Sequence, residues 1–346
     1  MGVSKKIINV YFRISLINKN GLGHLIRCLR FCQTLPQKYK KIFLVDCLNK
    51  QIPLNINLKN YEIINLYEKR NKFINNLYDA KKILKIIKYK KNNYFFVDDY
   101  RINYTWHKKI YKYCKKLIVI DDLLDRKFFC DFYINFKKDL DGNLHKLAKK
   151  KNIKKNKILI NPKYCILDRN LENKSNNKIK NKKTILISFG NSFDFKKYEA
   201  FFKNIQKINC KILICVGIFS KNYEYLFKLS KKNKNFKIIF KKMFIEKYFN
   251  NINLFIGSAG NSIYEMSYLN VPSIFTQLSK NQKNDIKFLE NLGHFFFLNK
   301  KEFFTNNCIN LISKIISKYE KVKLLNKFKK IYLDKNGATR IKKAIF

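Results

Sequence analysis

The chain of 346 residues is too long for one compact core and fits two domains of about 150 residues each. Hydrophobic residues make up 46% and aromatic residues 15%, which excludes a wholly disordered chain. The formal net charge is +50, from 74 Lys and Arg against 24 Asp and Glu, but only 8 of the basic residues are Arg. Because Arg usually makes the contacts that specify bases, we interpret the charge as a solvated, lysine-rich surface and predict no specific nucleic-acid partner.

The nine cysteines are odd in number and form no Cys-x-x-Cys pair. Several lie inside apolar runs, as Cys210 and Cys215 do, and buried free thiols are typical of a reducing compartment. We therefore predict a cytoplasmic protein, and we take it to be a monomer. No apolar stretch reaches the roughly 18 residues of a membrane helix, so we predict no membrane span. The first 15 residues lack a signal-peptide cleavage site and are predicted to hold the first strand.

Short apolar runs alternate with amphipathic stretches through the first half of the chain. The runs are roughly 4–8 residues long and end in Asp or Gly, as parallel strands do where they enter a loop. Residues 132–135 fit either a short edge strand or a loop. Strands are predicted at residues 7–14, 41–46, 94–98 and 117–121, and a helix at residues 25–34.

Residues 169–183 have almost no apolar content and are predicted to form a linker. After them the alternation restarts, which implies two doubly wound α/β domains, residues 1–168 and 184–346, facing a central cleft. Ligands of such sheets bind beyond the carboxyl ends of the strands, which places the substrate in that cleft. In the second half, strands are predicted at residues 184–188, 211–216, 236–240, 254–256 and 273–276, a helix at 196–208, and helices throughout the last 40 residues.

The segment from Asn18 to His24 directly follows the first predicted strand and precedes a helix. Gly21 and Gly23 permit a positive φ and a close approach of the backbone, and the N–H groups at a helix start suit an anionic ligand. His24 would then stand at the start of the helix, in the cleft. The segment lacks the third glycine of the dinucleotide fingerprint, so we predict no cofactor. The alternative is a glycine-rich turn with an exposed histidine.

Residues 256–265 also join a strand to a helix, and small residues fill five consecutive positions. Such a stretch lets backbone N–H groups wrap a phosphate. Glu265, one turn into the helix, is placed to accept hydrogen bonds from a ribose diol. The alternative is that Glu265 only complements the positive end of the helix dipole.

A third turn, residues 188–192, follows the first strand of the second half. This is the switch-point position of a doubly wound domain, where Asn and Ser side chains can bind a diphosphate. An ordinary strand-to-helix turn with Ser192 as its N-cap fits the residues equally well.

Paired acids end two strands of the first half, at Asp98-Asp99 and at Asp121-Asp122. Consecutive residues of an extended chain point to opposite sides, so each pair offers one carboxylate to the cleft. Carboxylates can hold a metal, but the His and Cys residues nearby follow no ligand spacing. We therefore predict no metal site, and a polar contact to substrate or a loop-ordering role instead.

Together these segments resemble the nucleotide-sugar hydrolases of pseudaminic acid biosynthesis, which release UDP from UDP-2,4-diacetamido-2,4,6-trideoxy-β-L-altropyranose. That family is related to the C-terminal half of the lipid II-forming glycosyltransferase and has the two-domain GT-B architecture. The resemblance covers nearly the whole chain. It rests on Gly21-Leu-Gly-His24 with Arg27-Cys-Leu29, Asp98-Asp-Tyr100, Ile120-Asp-Asp122 with Arg126, Cys130-Asp131, Ile134-Asn135, Tyr164, Leu167, Ser188-Phe-Gly190, Gly257-Ser-Ala-Gly260, Glu265, Asn281-Gln282 and Asp334-Lys-Asn-Gly337-Ala-Thr-Arg340.

The resemblance implies that His24 is the catalytic base, that Tyr100 lies near the reacting sugar, and that the turn from Gly257 to Glu265 holds the nucleotide. Two residues depart from the family pattern: Arg101 stands where the family usually has Gly, and Asn191 replaces a second Gly after Gly190. The substrate-binding residues expected on this basis are Gly21, Gly23, Arg27, Asp98, Gly190, Asn191, Ser258, Gly260, Asn261, Ser262, Glu265, Asn281 and Gln282.

The expected reaction is attack of water at the anomeric carbon of a UDP-sugar, with inversion and without a metal or cofactor. A histidine, with an ordinary pKa of about 6.5, suits the role of base near neutral pH. UDP is a good leaving group, so a second carboxylate of the glycosidase kind is dispensable. A glycosyltransferase that moves the sugar to a sugar or lipid hydroxyl is the alternative with the same fold. A polyanion-binding module without catalysis is the alternative from another class.

Overall fold

The computed structural model describes residues 7–16, 21–46, 61–68, 74–87, 92–139, 141–151, 153, 158–172, 183–283 and 286–346. Most of the predicted linker, and Asn18 with its two neighbours before Gly21, lie outside the described residues. The chain divides into two compact units, Met1–Ile166 with Lys335–Phe346, and Leu167–Asp334. The last twelve residues therefore belong to the first unit, whereas the sequence placed them in the second domain.

The first unit contains a sheet whose described strands are all parallel, in the order β3-β2-β1-β4-β5-β6-β7. The order reverses between β1 and β4, which is the topological switch point where such folds bind ligands. The strands are β1 Ile8–Ile14, β2 Tyr39–Val45, β3 Glu62–Asn65, β4 Tyr94–Asp98, β5 Lys116–Ile120, β6 Phe132–Asn135 and β7 Ile158–Ile160.

Helices cover this sheet, so the inner strands are buried on both faces and are apolar along their length. Phe12 of β1 lies in register with Phe43 and Phe96, and its ring centroid is 5.0 and 5.1 Å from theirs. Phe31 of the first helix packs on Phe96 at 4.9 Å. This contact fixes the first helix against the central strands. The α-helices within the described residues are α1 Gly21–Cys32, α2 Asn76–Ile86, α3 Tyr104–Tyr111, α4 Asn143–Lys150, α5 Glu199–Ile205, α6 Glu224–Lys232, α7 Ser262–Leu269, α8 Ile286–Leu292, α9 Lys300–Phe303, α10 Asn306–Ser317, α11 Tyr319–Leu324 and α12 Gly337–Ile345.

The C-terminal helix α12 packs on the first unit through a close backbone contact. A Cβ atom on Gly337 would lie 2.0 Å from the carbonyl oxygen of Cys165, so only glycine fits there. At the other end of α12 the Phe346 ring meets Tyr39 and Tyr94, with centroids 4.9 and 4.4 Å away. These contacts explain why the chain returns to the first unit.

The second unit also contains a sheet whose described strands are all parallel, in the order β10-β9-β8-β11-β12-β13. Its switch point lies between β8 and β11. The strands are β8 Thr184–Ser188, β9 Lys211–Val216, β10 Phe236–Phe240, β11 Leu254–Ser258, β12 Ser273–Thr276 and β13 Phe295–Phe297.

The two doubly wound α/β domains predicted from the sequence are confirmed, as are the predicted strands to within two residues. Residues 132–135 form a strand. The prediction that the last 40 residues are all helical is wrong, because residues 329–336 between the 3-10 turn at Leu325–Phe328 and α12 are not helical. No described helix is long and apolar enough to span a bilayer.

Candidate functional site

The switch point of the first unit brings α1 next to the end of β4. His24 lies in the first turn of α1 and Arg27 lies one turn later, so both side chains share a face of the helix. Gly21 and Gly23 are the first and third residues of this helix, and Gly23 does not use the positive φ that a glycine permits. Instead, the space beside Gly23 where a side chain would lie is open.

Asp98, the last residue of β4, receives hydrogen bonds from both helix side chains. Nδ1 of His24 contacts one carboxylate oxygen, and Arg27 donates from Nε to the other and from Nη2, at 2.5 Å, to the first. His24, Asp98 and Arg27 are 5%, 0% and 3% exposed. Burial alone would raise the pKa of Asp98, but the charges of Arg27 and His24 outweigh burial and lower that pKa. Asp98 is therefore ionised at neutral pH.

Asp122, which follows β5, joins Arg27 to Tyr100. Its Oδ2 accepts from Nη1 of Arg27 at 2.9 Å and from the Tyr100 hydroxyl at 2.5 Å. The Tyr100 ring meets the His24 ring edge to face, with centroids 4.9 Å apart. Burial and the Asp122 charge raise the pKa of Tyr100 well above its ordinary value, so Tyr100 keeps its proton. Burial alone would raise the pKa of Asp122. The positive charge of Arg27 and the hydrogen bond from Tyr100 outweigh burial, so that pKa is lowered.

This cluster of His24, Arg27, Asp98, Tyr100 and Asp122 is suited to accept a proton. An ionised carboxylate only accepts hydrogen bonds, so we assign the proton of the neutral imidazole to Nδ1. The lone pair then lies on Nε2, and Asp98 is placed to stabilise the imidazolium once it forms.

Asp99, the neighbour of Asp98, points into a different network. Nη1 of Arg13 lies 3.4 Å from Asp99, and Nη2 lies 2.8 Å from Asp46 and 2.9 Å from Asp79. Arg101 also binds Asp99 and Asp46, at 2.5 and 2.7 Å. Arg101, which departs from the family pattern, is thus part of this buried ion-pair network. The two carboxylates of the pair point apart, as the extended chain predicts.

The second acid pair divides in the same way. Asp121 accepts from the backbone N–H groups of Leu123 and Leu124 at 3.0 and 2.7 Å and lies 2.8 Å from Nη2 of Arg126. It orders the loop after β5, while Asp122 joins the His24 cluster. Within the described ranges, no three His, Cys, Asp or Glu side chains are arranged to hold a metal ion.

The other histidines have different surroundings. His107 and His294 are buried, and burial lowers their pKa values to about 3 and about 4, so both are neutral near pH 7. His145 contacts Asp139 through Nδ1, but its side chain is 40% exposed. His24 is the histidine at a switch point.

In the second unit, two strand ends meet at close range. A Cβ atom on Gly257 of β11 would lie 2.1 Å from the carbonyl oxygen of Ser188 on β8, so glycine is required there. Gly190, beyond β8, has a left-handed φ of +83°. Gly217, which follows β9, lies against the backbone of Asn191. A Cβ atom on Gly217 would come within 2.4 Å of the Cα atom of Asn191. The turn after β8 is therefore shaped by backbone contacts.

The turn after β11 leads into α7. Ser258 ends the strand, and the Ser262 hydroxyl donates to the Ser258 carbonyl at 3.1 Å. Gly260 and Asn261 are only partly buried, and the Gly260 N–H donates to the Ser258 carbonyl at 2.8 Å. Glu265 lies in the first turn of α7 and is buried. A buried carboxylate at a helix start fits the dipole interpretation and also lies beside the turn where the sequence places the nucleotide.

Asn281 and Gln282 lie in a 3-10 turn after β12, the strand next to β11. The Nε2 atom of Gln282 is 3.7 Å from where a Cβ on Gly260 would be, and its Oε1 accepts from Leu278 N–H at 2.9 Å. Asn281 accepts from the Ser279 hydroxyl at 2.5 Å. A cavity of about 450 Å³ at the ends of β12 and β13 is lined by Gln277, Leu278, Ser279, Lys280, Phe297, Asn299 and Lys300.

The expected site residues therefore form two groups, one in each unit. The first unit brings together His24, Arg27, Asp98 and Tyr100. Sequence reasoning did not give Asp122 a role with them, although its position at a strand end was the available signal. The second unit brings Gly190, Asn191, Ser258, Gly260, Asn261, Ser262, Glu265, Asn281 and Gln282 to neighbouring strand ends.

The chain is similar to solved structures over nearly its whole length. MurG of Acinetobacter baumannii matches with a TM-score of 0.61 and 14% identity, over 97% of this chain and 99% of that one. MnaA of S. aureus, in complex with UDP, matches with a TM-score of 0.61 and 12% identity over 97% and 95%. UDP-GlcNAc 2-epimerase of Neisseria meningitidis, bound to UDP-GlcNAc, matches with a TM-score of 0.60 and 10% identity over 98% and 99%.

No protein-family model matches the chain, and no curated protein does either. At these low identities the similar structures show the fold alone. The fold is the two-domain α/β type of GT-B enzymes.

Proposed function

We propose that this chain is a nucleotide-sugar hydrolase that releases UDP from UDP-2,4-diacetamido-2,4,6-trideoxy-β-L-altropyranose. The observation that carries the proposal is the buried contact between His24 Nδ1 and Asp98 at the switch point of the first unit, beside Tyr100. A UDP-sugar substrate is supported by the similar structures, two of which contain UDP or UDP-GlcNAc. The choice of sugar rests on the resemblance in sequence.

In the proposed reaction, Nε2 of His24 takes a proton from water while the water oxygen bonds to the anomeric carbon. The bond from that carbon to the UDP oxygen breaks, and UDP leaves with the electron pair. Asp98, in contact with Nδ1 of His24, is placed to stabilise the imidazolium that forms in this step.

Arg27 and Asp122 are positioning residues in this mechanism. Arg27 keeps Asp98 ionised and oriented towards His24. Asp122 accepts the single hydroxyl hydrogen of Tyr100. The lone pairs of that oxygen are left to accept a hydrogen bond from the sugar, while the Tyr100 ring restricts the position of the imidazole.

The second unit is proposed to bind UDP. The turns after β8 and β11 offer backbone N–H groups to the diphosphate, and the start of α7 adds its dipole. Glu265 is proposed to accept hydrogen bonds from the ribose hydroxyls. The side-chain amide of Gln282 lies close to Gly260 in the turn after β11. No metal takes part in the proposal.

The test is UDP release without an acceptor. Purified protein is incubated with the diacetamido-trideoxy-altrose UDP-sugar or with UDP-GlcNAc, at moderate salt and with EDTA, beside a His24→Asn variant. Release from the altrose substrate that persists in EDTA and is lost in the variant is expected. Loss of activity in EDTA contradicts the metal-free mechanism. No release from either substrate, with UDP still bound, contradicts the hydrolase proposal.

A glycosyltransferase acting on a lipid or sugar hydroxyl is the second candidate, with His24 as base towards that hydroxyl. The exposed apolar side chains of Leu324, Leu325, Phe328 and Tyr332, with exposed lysines between them, favour it, because such a surface can bind at a lipid interface. UDP release that depends on an added acceptor distinguishes it from the hydrolase. Salt-sensitive polyanion binding without turnover of any UDP-sugar would instead indicate a binding module.

A further inference from the structure

Large exposed apolar side chains are concentrated in one stretch of the second unit. Among the described residues, thirteen large hydrophobic side chains are exposed, and four of these lie within the nine residues 324–332. Leu324 and Leu325 are 53% and 42% exposed, and Phe328 and Tyr332 are each 74% exposed. Scattered apolar residues are normal on a surface, but four large exposed ones within nine residues indicate a candidate interaction site. None of these residues belongs to the two groups of site residues.

Lysines surround this apolar cluster. Residues 318–335 contain seven Lys but only two acidic residues, Glu320 and Asp334. Lys321, Lys323 and Lys327 are exposed between the apolar positions. The stretch therefore combines apolar side chains with a local excess of positive charge.

Hydrogen bonds hold the backbone of this stretch in place. The buried Lys329 donates from Nζ to the Ser267 carbonyl at 2.5 Å and to Asn270 Oδ1 at 3.2 Å, at the end of α7. The N–H groups of Lys330 and Ile331 both donate to the Asn291 carbonyl, at 3.0 and 2.8 Å. Phe328 and Tyr332 flank these anchors, so their exposure follows from a fixed backbone.

We propose that residues 319–332 form a docking surface for an anionic lipid bilayer. The four apolar side chains enter the boundary between headgroups and acyl chains, and the lysines bind the headgroup phosphates. The excess of lysine argues against a second copy of the chain as the partner, because a symmetric contact would bring the positively charged lysines of both copies together, where they repel each other. The leucines decide against single-stranded nucleic acid, since aliphatic side chains do not stack on bases as aromatic rings do.

The test measures co-sedimentation of the full chain with vesicles of phosphatidylglycerol and phosphatidylethanolamine, and with vesicles of phosphatidylcholine alone. Binding to the anionic vesicles is expected, and the double variant Phe328→Ser/Tyr332→Ser should weaken it about tenfold or more. The matched control, Ile7→Ser/Leu77→Ser, removes two other exposed apolar residues and should bind as the wild type does.

Charge is tested separately, because a net charge of +50 attracts any anionic surface. The triple variant Lys321→Gln/Lys323→Gln/Lys327→Gln should lose more vesicle affinity than Lys228→Gln/Lys231→Gln/Lys232→Gln, which removes the same charge from α6. Equal losses in the two triple variants would overturn the proposal. So would an unchanged affinity of the Phe328/Tyr332 variant, or a wild-type dimer that this variant dissociates. These readouts do not depend on the reaction catalysed.

Discussion

Two clusters of buried charges lie at the carboxyl edge of the same sheet, and each is built around an arginine that bridges aspartates. Arg27 bridges Asp98 and Asp122, whereas Arg13 is surrounded by Asp46, Asp79 and Asp99. Asp98 and Asp99 are consecutive, so one strand end supplies both clusters.

The clusters differ in what completes them. The Arg27 cluster ends in the imidazole of His24 and the hydroxyl of Tyr100, which can exchange a proton or a hydrogen bond with a ligand. The Arg13 cluster is completed by Arg101, a second permanent cation. The same ion-pair chemistry therefore orients a reactive group in one place and stabilises the fold in the other. Variants that affect one cluster alone will test this division.

Replacing His24 by Asn should have the largest effect on activity. The variant keeps a side chain that can bond Asp98 but lacks the base, so UDP release should fall about 10²- to 10⁴-fold while UDP affinity is unchanged. Rates of UDP release and calorimetric UDP binding give the two values.

His145→Asn is the matched control for this variant. His145 also contacts an aspartate through Nδ1, but it lies on α4 with its side chain 40% exposed. Its variant should retain wild-type activity. Near-normal turnover in His24→Asn would contradict the proposed mechanism.

Replacing Arg13 by Met should have the largest effect on stability. Each of three carboxylates would lose one buried partner, and breaking a buried ion pair in this way costs about 3–5 kcal/mol. Urea unfolding of Arg13→Met and of wild type measures the loss. A cost below about 1 kcal/mol would show that the network contributes little to the fold.

Acid should weaken both clusters together. The pKa values of Asp98, Asp99 and Asp122 are lowered in the folded chain, where burial is outweighed by hydrogen bonds and positive charges from arginine side chains. Their contribution to stability is complete above the unfolded pKa, about 3.9, and is lost as the pH falls through the lowered folded values. Urea unfolding between about pH 5 and pH 2 should show this loss, with a smaller slope in Asp99→Asn; equal slopes would contradict it.

Neighbouring substitutions at Asp98 and Asp99 separate the clusters most sharply. Asp98→Asn should slow UDP release about 100-fold, because an amide cannot stabilise the imidazolium of His24. Asp99→Asn should lower the free energy of unfolding by about 1–3 kcal/mol with little change in the rate of folded enzyme. If both variants lose activity and stability in the same proportion, the clusters act as one.

The sequence was sufficient for most of the sheet but not for its edges. Residues 94–98 were predictable because an apolar run ends at an acid. The edge strands β3 and β7 have only four and three residues, and such short segments carry little periodic signal. The helices predicted throughout the last 40 residues gave no warning that the chain becomes non-helical after Phe328, since that change follows from the tertiary hydrogen bonds of Lys329 and Asn291.

The site was predictable as a set of residues but not as a network. His24 and Arg27 lie on one helix face, and strand-end acids were expected near a ligand. The contact of His24 with Asp98 spans 74 positions and depends on β1 and β4 being neighbours, which periodicity does not reveal. The role of Asp122 depends in the same way on β5 lying next to β4. Arg13, inside an apolar run, looked like a strand residue and gave no sign of its three aspartates.

The smallest expected effect concerns the second unit, where the proposed UDP-binding turns present backbone and side-chain amide groups instead of buried ion pairs. Glu265→Ala should weaken UDP binding about tenfold, through loss of the hydrogen bonds proposed to the ribose, and should slow bound substrate less. Glu224, in the first turn of α6, is the control, because it also lies near the positive end of a helix dipole but is exposed. If Glu265 only complements the dipole, both alanine variants should lose a few tenths of a kcal/mol of stability and keep wild-type UDP affinity. Calorimetric titration with UDP decides between the two roles, since only a ribose contact makes the binding losses of the two variants differ.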